Sequence, residues 1–298
     1  MIARLRTVSK FLTAGICAVG LLACSEEMAE QENAGPAVDV GAAGEAGSKA
    51  EVPSLAGWWQ HNVSHLSDPE EGDGPVSYFP GMRHLYGNER GRGIAGSELW
   101  VGDYNDPVLQ PWATEIVKAH GDKEQEMGRS GWQMLQLCML VGTPHILLLR
   151  DPVEFLQEPD QVTILYHRDQ QVRHVYLNEH HPEHIEPTPY GHSVGWYEGD
   201  TLVVDTVGMS VEGPIDYYGT PHTEQLHVIE RYHVVEDGTV LRVDVWAEDP
   251  GVFTTSWSGY QRYDRSRRED YEEIRCAENP KDVDGGEYPV PRDNTPDF

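Results

Sequence analysis

Leu226 to Ala247 leaves this chain the least conformational freedom: two runs of alternating apolar and polar residues flank Asp237-Gly238. Asp-Gly between alternating runs is the strongest short-range hairpin signal, because a two-residue turn needs positive φ at positions where these residues tolerate it. With Asp237-Gly238 as the turn, Val235 faces Val240, Val234 faces Leu241, His233 faces Arg242, Tyr232 faces Val243, Arg231 faces Asp244 and Glu230 faces Val245. One face then carries Leu226, Val228, Tyr232, Val234, Leu241, Val243, Val245 and Ala247. The other carries Arg231, His233, Arg242 and Asp244 with opposite charges matched. A slip of one residue would turn the apolar set to water, so this register is strongly specified. Glu230 breaks the pattern by falling on the apolar face, where an ionised carboxylate is costly. Either a partner reaches it or its pKa is raised.

Further β signals run through the rest of the chain. Ser54 to Trp59 is a short apolar strand, and Val162–His167 turns at Arg168-Asp169-Gln170 into Val172–Leu177. Ser193–Tyr197, Thr201–Val207 and Thr254–Tyr263 follow. With the hairpin this predicts about eight strands, joined mostly by short turns. Such a chain is all-β with a minor helix, an antiparallel meander closing into a small barrel. The helix is expected at Pro111–His120, residues 68–97 read as loop, and the charged last thirty or so residues are expected to lie over the outside.

Gly191-His192-Ser193-Val194-Gly195 matches the G-x-S-x-G pattern of serine hydrolases. That chemistry needs the serine on a sharp turn between a buried strand and a helix. Here Pro182, Pro187 and Pro189 precede it, which excludes a buried strand, and a hairpin follows. Ser193 is therefore expected to bind rather than attack. With Gly199-Asp200 as the turn, Val194 opposes Asp205 and His192 lies diagonal to Asp205. With a three-residue turn Ser193 faces Asp205 instead. Both registers bring Asp205, the only charge in Thr201–Val207, beside the G-H-S sequence.

Polar groups converging inside a small barrel make a binding or catalytic site. Glu230, Asp205 and His192 are the expected acid–base residues, His192 being the nearest group that titrates close to neutrality. Ser193 and Tyr232 are expected to bind, as are His222 and Glu224, which precede a strand at the barrel mouth. The register puts His227 on the outer face opposite Glu248, a lower rank. His180 and His184 are four apart, but Pro182 between them spoils a helical metal pair, and no H-E-x-x-H occurs. No metal or cofactor is expected.

The N-terminus reads as an export signal: Arg4, Arg6 and Lys10 precede an apolar run too short for an ordinary span, ending at Leu21-Leu22-Ala23-Cys24. This looks like a lipobox, with residues 1–23 removed, Cys24 lipidated and, Ser25 not being Asp, delivery to the outer membrane. Residues 24–53, rich in Ala, Gly and Glu without aromatics, read as a disordered acidic tether to a barrel domain at 54–298. Loss of Arg4, Arg6 and Lys10 takes the formal charge from −28 to about −31, which disfavours a nucleic-acid partner because phosphate binding needs clustered cations. Membrane contact is expected through the lipid alone. Cys138 and Cys276, the thiols left in an oxidising compartment, are expected to pair.

The runs Gly191 to Gly208 and Pro221 to Tyr232 resemble the core of an uncharacterised family of exported bacterial proteins. The resemblance extends from Trp58 to about Asn279, with Cys138 and Cys276 in matching places. It implies export and brings no activity with it. Leu55-Ala56-Gly57-Trp58 is loosely similar to the first strand of lipocalin-like barrels. The function expected is an acid–base enzyme (lyase, isomerase, cyclase or hydrolase) acting on a small organic or sugar-like molecule. The alternatives are a non-catalytic small-ligand-binding lipoprotein and a structural or assembly factor. Thiol titration of the denatured protein checks the cysteine pair: reduction is expected to release both Cys138 and Cys276, and an unchanged count refutes pairing.

Overall fold

The computed structural model describes residues 54–61, 63–80, 99–127 and 140–266. The signal sequence, Cys24, the tether, Cys138, Cys276 and the C-terminal segment lie outside the described residues. Nine strands form a closed barrel: β1 (Trp58–Gln60), β2 (Val153–Gln157), β3 (Gln161–Tyr166), β4 (Gln171–Leu177), β5 (His192–Glu198), β6 (Thr201–Val207), β7 (His227–Val235), β8 (Val240–Glu248) and β9 (Trp257–Arg265). Neighbours in sequence pair around the sheet, and β9 closes on β1 through Trp59↔Arg265 and Gln60↔Asp264. One helix, α1 (Pro111–Met127), extends seven residues past the predicted segment and buries Ala113, Val117, Gly121 and Glu124. Glu124 accepts a hydrogen bond from the backbone of Trp100 at 2.6 Å.

The β7–β8 hairpin takes the register read from its alternation at every pair from His227↔Glu248 to Val235↔Val240. Asp237 and Gly238 have φ of 52° and 87°, and Thr239 N–H reaches Glu236 O at 3.2 Å, as a two-residue hairpin turn requires. The β5–β6 hairpin turns at Gly199-Asp200, pairing Val194 with Asp205 and Ser193 with Thr206. The three-residue alternative is not adopted.

Two features depart from the expected eight-stranded antiparallel, lipocalin-like pattern. The additional strand is β2, whose Val153 and Phe155 point inward while Leu156 is exposed. Its five residues are too few for alternation to stand out. The other departure is that β4 and β5 run parallel, through Val175↔Ser193, Tyr176↔Val194 and Leu177↔Gly195. A parallel pair needs a crossover rather than a turn, and residues 178–191 supply it.

The glycines of the G-H-S-V-G sequence serve this junction. Gly191 has φ +64°, and a Cβ there would stand 2.4 Å from Val207 O; at Gly195 a Cβ would meet Val175 Cγ1 at 2.7 Å. Both are places where the backbone is approached too closely for a side chain.

Inside the barrel, Val162, Ile164, Val175, Leu202, Val204, Val228, Leu241, Val243 and Ala247 are fully buried, with Phe155, Tyr166, Tyr232 and Tyr263 at most 5% exposed. The interior is a packed core, not an open calyx. Alternation along β4 turns Arg173 inward with Val175 and Leu177, and Arg173 meets Glu230 there. Its Nη1 donates to Glu230 Oε1 at 2.9 Å and its Nη2 to Glu230 Oε2, while Tyr232 Oη donates to Oε1 at 2.7 Å. Arg173 Nε donates to Ser193 Oγ (3.1 Å) and Nη2 also to Thr206 Oγ1 (2.8 Å). Burial opposes the charge on Arg173, but the adjacent Glu230 carboxylate holds it protonated. Burial also pushes the neighbouring Tyr166 hydroxyl up to about 12.

A buried pair that loses one partner leaves an uncompensated charge and is destabilised by about 3–5 kcal/mol, whereas an apolar replacement of both can be nearly neutral. Arg173→Met is therefore expected to lower the urea midpoint sharply and the double variant Arg173→Met/Glu230→Leu to recover much of it. Equal losses in the two variants would show that the pair contributes only packing.

Candidate functional site

The period of two in β-strands divides the expected site residues between two faces. Ser193, Glu230 and Tyr232 point inward, where all are buried and hydrogen-bonded to the Arg173 network. Asp205 pairs across the sheet with Ile229, whereas Glu230 pairs with Val204, so the two carboxylates lie on opposite sides of the barrel wall. They do not form a catalytic carboxylate pair. His222, 9% exposed, lines a groove of about 220 Å³ with Thr143, Pro189 and Ser210, and Glu224 is exposed on the adjoining loop. Neither approaches Asp205 or Glu230 through a hydrogen bond.

On the outer face Asp205 and His192 do come together, through a residue the sequence reading did not select. The crossover 178–191 carries Pro182, Pro187 and Pro189, which suits an extended strap with few backbone donors. It is tied down where Ser210 N–H reaches Thr188 O at 2.8 Å and Thr188 N–H reaches Gly208 O at 3.2 Å. The strap lays His181 between the two hairpin residues: His181 Nδ1 lies 2.9 Å from His192 Nδ1, and His181 Nε2 lies 3.2 Å from Asp205 Oδ1. From β7, His227 Nε2 reaches the same Asp205 oxygen at 2.9 Å, and its Nδ1 lies 3.5 Å from Glu248 Oε1. Tyr176 stacks on His192 with ring centroids 5.3 Å apart. The array is half-buried, its side chains 23–28% exposed at His181, Asp205 and His227.

The electrostatics follow from these contacts. Burial alone would raise Asp205, but hydrogen bonds from His181 and His227 hold its carboxyl well below the ordinary range. The hydrogen bond to Asp205 lifts His227 above the usual histidine value against the effect of burial. Burial, then the charge of His181, pushes His192 down. An ionised Asp205 accepts, so His181 and His227 both donate from Nε2. One proton is shared between His181 Nδ1 and His192 Nδ1, and when His192 is its donor, His192 Nε2 is left as a base. A base oriented by a second group, itself anchored on a carboxylate, is the logic of catalytic triads.

Asp216 accepts from the backbone N–H of Tyr218 (2.8 Å) and Thr220 (3.0 Å), and burial pushes it up to about 6. The cavity beside it, lined by Leu66, Val76, Ile215 and Trp257, is only about 20 Å³, room for about one water molecule. Among the described residues no group of His, Cys, Asp or Glu is arranged to hold a metal ion.

The chain forms a closed barrel with a packed interior and a histidine–carboxylate array on its outer face. Neither family models nor curated proteins match the chain. Of the array, the pairing of His227 with Glu248 and the closeness of His192 to Asp205 were legible from hairpin registers. His181 had no comparable signal, because the strap that brings it in is not a turn.

Because Asp205 titrates below its ordinary 3.8, its contribution to stability is complete above that value and lost as pH falls through the folded one. Because His227 titrates above 6.5, its contribution is complete below 6.5 and lost as pH rises through the raised value. The pair is thus strongest between 3.8 and 6.5. Asp205→Asn is expected to reduce stability more at about pH 5.5 than at about pH 9, and to return the NMR-detected His227 titration toward 6.5.

Proposed function

We propose that this chain is an exported, lipid-anchored enzyme that uses general acid–base catalysis on a small organic or sugar-like molecule at the outer face of its barrel. The observation that carries the reading is the continuous hydrogen-bonded array His192–His181–Asp205–His227. His192, neutral near pH 7 because burial and His181 disfavour its charged form, takes a proton at Nε2. The positive charge then spreads through Nδ1–H to His181, which Asp205 stabilises. His227, whose charged form Asp205 and Glu248 favour, in that form helps to keep Asp205 ionised and is the nearest proton donor. No described side-chain nucleophile is hydrogen-bonded to His192. This favours proton abstraction or water activation, as in lyases, isomerases, cyclases and hydrolases, over covalent catalysis. Glu230, in this reading, supports the wall from within.

Placement in the cell envelope through Cys24, and a Cys138–Cys276 disulfide, belong to the same proposal and rest on the N-terminal pattern and the thiol inventory. A second reading, a binding protein without catalysis, is favoured by a groove of about 380 Å³ beside the array. A panel of esters, glycosides, uronides and hydroxy acids tests for turnover. Asp205→Asn and His192→Gln are expected to lower kcat by about 10²–10⁴-fold, the usual contribution of acid–base groups, with thermal stability near wild type for His192→Gln and lowered for Asp205→Asn. The kcat/KM of the wild type is expected to rise with pH through a value below 6.5, where His192 loses its proton. Absence of turnover across the panel, or turnover indifferent to both variants, defeats the catalytic reading.

A further inference from the structure

The groove beside the array has its own chemistry. The sheet register sets out its floor: Ser258, Trp246 and Ile229 lie in one row, Tyr260, Asp244 and Arg231 in the next, all on the outer face. Ile229 pairs in turn with Asp205, so the row that crosses the groove runs directly into the array. Trp246 also touches His227 edge-on, ring centroids 5.5 Å apart. Pro69 and Glu70 form a wall from the preceding loop. At about 380 Å³, the groove falls within the range of small-molecule sites, about 300–1,000 Å³.

The charges on this floor cancel within the protein. Arg231 is held by Glu198 at 2.6 Å and Arg242 by Asp244 at 2.7 Å, while the Arg242 guanidinium covers the Tyr260 ring at 4.3 Å. A ligand anion would have to compete with carboxylates already in place, and an alkyl chain would take water from charged groups without offering them a hydrogen bond. Planar, pre-oriented donors and carboxylate acceptors beside an aromatic ring suit a ligand with an apolar ring face and a rim of hydroxyls.

We propose that the β7–β9 groove binds a neutral saccharide, one ring packing at Trp246 with its hydroxyls on Asp244, Arg231 and Glu70, and its neighbouring bond directed toward His227 and Asp205. This rests on the reading of the array as a catalytic site for its consequence, but the binding itself does not. The test is calorimetric titration of the mature chain with malto-, cello-, xylo- and chito-oligosaccharides, beside inorganic phosphate and a medium-chain fatty acid.

Binding of at least one neutral saccharide is expected, weakened about tenfold or more by Trp246→Ala, as for an aromatic anchor. If Trp246→Ala does not fold, Asp244→Asn on the floor and Glu70→Gln on the wall give the same reading. The proposal is overturned if no saccharide binds, if phosphate or the fatty acid alone binds, or if saccharide binding is indifferent to these groove variants. Saccharide binding without turnover leaves the proposal standing and removes the acid–base reading. Turnover of a non-saccharide whose KM ignores Trp246 does the reverse.

Discussion

The Arg173–Glu230 pair at the centre of the barrel governs how the rest of the structure can be arranged. Two opposite charges placed on the inward faces of β4 and β7 cannot both be buried unless the sheet closes and brings those strands across from one another. Once they meet, Tyr232, Ser193 and Thr206 complete their hydrogen bonds, and the interior has polar content without being open. That distinguishes this barrel from one that carries its ligand inside. The polar residues that make the interior look like a site satisfy one another.

The proposed chemistry lies on the other side of the same strands. The wall is one sheet thick, so Ser193 and Thr206 serve the core while their neighbours His192 and Asp205 face outward. The strap 178–191, required by the parallel pairing of β4 and β5, partly covers that outer surface and turns two isolated polar side chains into a hydrogen-bonded array. Half-burial is what gives the array its character. Contacts there are strong enough to hold Asp205 low and His227 high, while His192 keeps a nitrogen toward solvent.

Much of the fold was legible along the chain. Asp237-Gly238 between alternating runs determined the β7–β8 register residue by residue, whereas for β5–β6 two registers stayed open and the structure adopts the one that turns at Gly199-Asp200. The same alternation put Glu230 inside and required a partner for it. That Arg173 is this partner was readable in principle, since it shares a face with Val175 and Leu177, but nothing local connects β4 with β7. Strand β2 escaped notice because five residues carry too little periodicity. The parallel β4–β5 step was missed because a proline-rich connection signals only that a strand has ended, not in which direction the chain resumes.

The sequence by itself determined which residues lie on which face of the β7–β8 hairpin, because side chains alternate with a period of two and a one-residue slip would expose an entire apolar set. It thereby determined that Glu230 and Tyr232 belong to the core. Only the tertiary structure decided which groups meet across non-adjacent segments: Arg173 with Glu230, and His181 with both His192 and Asp205. Those contacts depend on barrel closure and on the path of a crossover. Both are set by the packing of all nine strands together, and no local pattern of residues encodes them.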